Sequence, residues 1–84
     1  MEGTIGEIRL FGGTFAPRGW ANCDGALLHI QDNSALFSVL GVQYGGDGKV
    51  TFALPKLDAP PVPQGAQGSP RYIVCTMGTY PSRT

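Results

Sequence analysis

The stretch TFAPRGWANCDG, residues 14–25, gathers the only tryptophan, one of two cysteines, a proline and two glycines into a single short segment. Arg18, Cys23 and Asp24 lie close together there and His29 follows soon after, an arrangement that invites an active-site reading. The residue types argue otherwise. A thiol nucleophile needs a nearby base, and the chain's one histidine follows the apolar pair Leu27 and Leu28 in a segment expected to be a strand. Trp20 reads better as a core anchor. An indole buries on the order of 200 Å², and a chain of 84 residues has room for few such side chains. Pro17 and Gly19 fix the loop that delivers it. The competing reading is an exposed Trp20 on which a sugar ring stacks.

Outward from this segment, glycine at 13 and proline at 7 make up almost a quarter of the sequence and fall as punctuation between short apolar runs. Thr4–Phe11 carries Ile5, Ile8 and Leu10 among polar neighbours and ends at Gly12-Gly13, which predicts a strand. Ala26–Ile30 predicts a second strand after Asp24-Gly25, a frequent tight hairpin connection. Ala35, Leu36, Val39 and Leu40 recur at helical spacing, with Asp32 or Asn33 to cap and Gly41 to stop, so a short helix is expected over 33–40. Val50–Leu54 alternates until Pro55 closes a third strand, and Arg71–Met77 has the β-branched and aromatic content of a strand buried on both faces. Between them, DAPPVPQGAQGSP (58–70) is a proline-rich connector with no regular ladder. The expectation is one domain over 1–84, mainly β in an α+β class, with a single short helix. No internal repeat is present.

Composition narrows the function. A formal net charge of zero, a charged fraction of 14% and basic residues spread singly along the chain give no basic stripe, so nucleic acid is excluded as a partner. No apolar run is long enough to span a membrane, and the N-terminus has neither a basic leader nor a long apolar segment, so neither membrane insertion nor a signal peptide is read. Chains this small bury only roughly 60% of their unfolded surface, so a staple or a neighbouring subunit is expected to help.

Cys23 and Cys75 stand far apart and outside any CxxC pair. Two structural readings remain: buried thiols, preferred because both lie beside or within core segments, or a disulfide closing a long loop. A zinc site built from Cys23, Cys75, His29 and a carboxylate fails the usual paired spacing, so neither metal nor cofactor is expected. The run YGGDGK (44–49) lacks the Gly-x4-Gly-Lys-Ser/Thr pattern and precedes a strand, so Gly45, Gly46 and Gly48 read as turn formers and not as a phosphate loop. Asp47 alone does not make a calcium site and reads as a solvated turn residue. The candidate core is Trp20, Cys23, Phe37, Phe52 and Cys75.

The order GEIRLFGGTFAPRGWANCDGALL, then NSALFSVLG, then YGGDGKVTFALPKL resembles the phage tail collar domain family nearly throughout, and RYIVCTMGTYPSR resembles the last strand and tail of its stand-alone members. The likeness covers residues 3–57 and 71–83. It implies a non-enzymatic part of phage tail fibres or of related bacterial secreted proteins, extracellular or on a tail-like particle. Members usually continue after FALP with an acidic residue, an LRGR-like run and a long glycine-rich insertion that carries receptor or metal chemistry. Here Lys56 replaces the acidic residue and the connector replaces the insertion. With no stalk either, the chain reads as a complete, bare scaffold, expected to partner itself as a trimer, ring or helical filament. The rival expectation is a surface glycan-binding module using Tyr44, Asp47, Tyr80 and Arg83.

Overall fold

The computed structural model describes residues 1–65 and 68–82. The chain forms five short strands and one helix: β1 (Ile8–Phe11), β2 (Trp20–Asn22), β3 (Leu27–His29), α1 (Ser34–Leu40), β4 (Thr51–Ala53) and β5 (Arg71–Cys75), with a 3-10 turn at Ile30–Asp32 before the helix. The fold is β-rich α+β, as expected from the sequence. Two antiparallel sheets form, one in the order β1-β5-β2 and one pairing β3 with β4.

β5 is the centre of the larger sheet. Its register sets Ile8 opposite Val74 and Leu10 opposite Tyr72 on one side, and Trp20 opposite Cys75 and Asn22 opposite Ile73 on the other. Successive strand residues face opposite ways, and both faces of β5 are covered: Ile73, Val74 and Cys75 have no exposed surface. Val74 joins Ile5, Cys23, Leu36, Leu40, Phe52 and Leu54 in the larger core cluster, and Ile73 and Cys75 pack with Trp20 in a smaller one flanked by Phe11 and Ala16. A strand rich in β-branched residues and hidden on both faces has the composition expected of its position.

The helix follows its spacing. Leu36 and Leu40 are one turn apart and both buried, and Phe37 packs against the same cluster with its ring 5.3 Å from that of Phe52 at 58°. Gly41 ends the helix with its N–H donating to Phe37 O at 2.7 Å. The expected side-chain cap is absent. Asn33 is the N-cap, but its Nδ2 donates back to His29 O at 3.1 Å because the 3-10 turn brings that carbonyl within reach.

Other boundaries shift for local reasons. The first strand begins at Ile8 and not at Thr4, because Thr4–Glu7 forms a turn in which Glu7 N–H donates to Thr4 O and Glu7 Oε1 accepts from Thr4 N–H. Trp20–Asn22, read as loop, is a strand, since β5 supplies a ladder that three residues without alternation do not announce. Asp24-Gly25 turns the chain without making a hairpin: β2 pairs with β5 and β3 with β4. Asp24 Oδ1 instead accepts from Ala26 N–H at 3.0 Å, a local turn bond. The strand expected to alternate over 50–54 buries Phe52, Ala53 and Leu54 in succession, because it lies between the core cluster and the glycine loop, and leaves Val50 outside. Within 58–70, no described residue belongs to a strand or helix.

Candidate functional site

The Trp20 segment is built from both chain ends inward. Pro17 O accepts from Trp20 N–H at 2.9 Å, closing the turn that starts β2. Gly19 O accepts from both Thr76 and Met77 N–H, tying the turn to the residues after β5. The indole is 6% exposed, donates through Nε1 to Met1 O at 3.0 Å, and lies 5.1 Å from the Arg9 guanidinium, which also pairs with Glu7. Gly3 permits this approach: a Cβ there would stand 2.4 Å from the indole Cζ2. Thr79 N–H donates to Gly3 O and Ile5 N–H to Thr79 O, so the two ends run side by side over the ring. Trp20 is therefore no exposed stacking platform. The sequence signal missed here was Gly3, a lone glycine whose partner lies far along the chain.

Both cysteines are free and buried, and they belong to different clusters on opposite faces of the larger sheet. Burial first, and the Asp24 carboxylate second, push the Cys23 thiol up. Burial also raises Cys75, whose thiol points to Met77 O at 3.4 Å. A thiol so held stays protonated and is a poor nucleophile. His29 is exposed on β3 and makes no hydrogen bond to Cys23 among the described residues, so the pair does not form a thiol–base dyad.

The loop before β4 is organised by one carboxylate. Asp47 Oδ1 accepts the N–H groups of Lys49, Val50 and Thr51, each at 2.9 Å, and the Thr51 hydroxyl at 3.3 Å. Those donors hold its carboxyl down to about 2, the Thr51 N–H contributing most. Gly45, Gly46 and Gly48 all have positive φ. At Gly46 the need is absolute, since a Cβ would meet Phe52 Cα at 2.4 Å.

The glycan candidates separate. Tyr44 is exposed in that loop with Asp47, whereas the exposed Tyr80 hydroxyl bonds to Ser38 on α1. Arg83 lies outside the described residues. Three of the surface cavities formed by described residues are lined without Tyr44, Asp47 or Tyr80. No group of three or more His, Cys, Asp or Glu residues with metal-binding arrangement occurs among the described residues, and no described helix is long and apolar enough to cross a membrane.

What the arrangement offers is a scaffold: two small cores on the faces of one sheet, a tryptophan clasp and a carboxylate-knit loop. Residues 6–59 match the family model described as Phage Tail Collar Domain. The chain belongs to the phage tail collar domain family. No curated protein and no solved structure gives a significant match. The collar domain is a structural domain of phage tail fibres. The matched stretch takes in β1 to β4 and α1, together with the Asp47 loop. β5, the strand on which the larger sheet of this collar domain is assembled, follows it.

Proposed function

We propose that this collar domain is a non-enzymatic structural subunit that associates with copies of itself, as a closed oligomer or a helical filament, in a tail-fibre-like or extracellular particle. The observation that carries the reading is the pair of outer strands in the larger sheet. β1 and β2 each neighbour β5 alone among the described strands; β1 has no other strand partner, whereas Lys56 and Leu57 pair with Asp24 and Cys23 where β2 ends. β1 also carries the exposed apolar side chains Ile8 and Leu10, the latter 52% exposed. An edge strand with exposed apolar side chains is a template for a further chain. Pairing between unlike edges propagates a filament unless the rotation closes, and pairing between like edges closes a dimer. On this reading Trp20, Cys23, Phe37, Phe52 and Cys75 act architecturally, as do Gly45, Gly46 and Gly48.

Light scattering across a concentration series, with electron microscopy of the same samples, tests the proposal. Closed oligomers or filaments are expected, and Leu10→Lys on the β1 edge is expected to reduce them. A wild-type chain that stays monomeric at high concentration overturns the reading. Glycan recognition through Tyr44, Asp47, Tyr80 and Arg83 is the second reading. The exposure of both tyrosines favours it, and the filled Oδ1 of Asp47 weakens it.

A further inference from the structure

One cavity of about 240 Å³ opens where β2 ends and β5 begins, walled by Asn22, Asp24, Arg71, Tyr72, Leu57 and Ala59, with Cys23 behind them. We propose that it binds a small neutral polyhydroxylated molecule, a polyol or a single sugar ring. The site is separate from Tyr44, Asp47 and Tyr80, and the inference goes beyond the self-association reading.

Register places the polar wall. Asn22 stands opposite Ile73, and Arg71 is two residues before Ile73 on the same strand, so Asn22 and Arg71 are diagonal neighbours on one sheet face. Asn22 Oδ1 and Arg71 Nε are both buried, and neither has a hydrogen-bond partner among the described residues. One is an acceptor and the other a donor. Buried polar atoms are nearly always paired, so two orphans at one cavity are unusual. Both atoms are covered, and the two side chains must turn about their outer torsions to meet a ligand. Neither atom gives up a hydrogen bond among the described residues in turning.

The chemistry of the wall selects the ligand. A hydroxyl both donates and accepts, so one hydroxyl, or two on adjacent carbons, satisfies Asn22 Oδ1 and Arg71 Nε together. A carboxylate accepts only and leaves the Asn22 carbonyl oxygen facing a negative charge. The formal charges of Asp24 and Arg71 cancel across the cavity, which again suits a neutral guest. Leu57 and Ala59 supply the apolar side that the C–H face of a sugar requires. At about 240 Å³ the cavity lies below the range of roughly 300–1,000 Å³ typical of sites for drug-sized ligands, and it suits one ring or a shorter polyol.

Equilibrium dialysis of the full chain against radiolabelled glucose and myo-inositol, which works whatever the assembly state, tests this. Saturable binding of at least one probe in the millimolar range is expected. Asn22→Ala should weaken it by about tenfold, the loss of one hydrogen bond to a buried partner. Arg71→Lys, which keeps the charge and removes Nε, should weaken it comparably, with circular dichroism showing that each variant folds. Tyr44→Ala should leave binding unchanged, which separates this site from the second reading above. Absence of saturable binding, equal binding by both folded variants, loss of binding in Tyr44→Ala, or saturable uptake of acetate in place of the polyols would each overturn the proposal.

Discussion

The sheet around β5 and the loop before β4 solve the same problem, a small chain with little core, by opposite means. β5 hides Ile73, Val74 and Cys75 between two apolar clusters and between two partner strands. The loop at Gly45–Thr51 has four of its seven residues in the open, and one exposed carboxylate gathers three of its backbone N–H groups. Burial of apolar surface is indifferent to pH and sensitive to volume. A carboxylate that accepts several N–H donors is the reverse. The two regions meet at Phe52, which follows the loop directly and sits in the larger cluster against Phe37.

Phe52→Ala breaks the comparison where the regions meet and should have the largest effect. Its side chain is fully buried, so truncation should lower unfolding free energy by about 3–5 kcal/mol, read from denaturant midpoints at constant slope. A loss below about 1 kcal/mol would show that the cluster collapses around the gap and that packing is not what holds this end of the molecule.

Gly46→Ala comes next and acts on the loop through its backbone. The residue has φ +92°, and its added Cβ would meet Phe52 Cα and N and Thr51 O, all of them backbone atoms with little freedom to retreat. The conformational strain alone is worth about 1–3 kcal/mol. Thermal melts that place Gly46→Ala beside the wild type would mean the loop is pliant and only the sheet is specified.

These two regions also differ in how far the sequence disclosed them. Helix α1 and the glycine turn were legible because their signals are local: Leu36 and Leu40 share a face, and Gly45, Gly46 and Gly48 cluster. The central place of β5 was not legible, since its partners are residues 8–11 and 20–22, far back in the chain, and pairing at that separation leaves no mark in either segment. For the same reason β2 read as loop and Asp24-Gly25 as a hairpin. The Trp20 clasp was half legible: the indole announced a core anchor, but Gly3 and the Met1 carbonyl that complete it did not. At the cavity between β2 and β5, Asn22 carried no signal at all, and Arg71 read only as the first residue of a strand.

The smallest expected effect sharpens the contrast most, because only the loop should show it. Asp47 titrates at about 2 in the folded chain against an ordinary 3.8, so the folded state favours its charged form. Its contribution is complete above pH 3.8 and is lost as the pH falls from there toward about 2. Asp47→Asn keeps an oxygen that can accept the same N–H groups but removes the charge, so the variant should lose this part of the acid limb and only slightly less than match the wild type at neutral pH. Glu7, held low by Arg9 and the Thr4 N–H, stays in the variant and keeps its own acid dependence. The difference between the two pH–stability curves thus isolates Asp47. Coincident acid limbs for wild type and Asp47→Asn would mean that the glycines alone hold the loop and that the carboxylate merely decorates it.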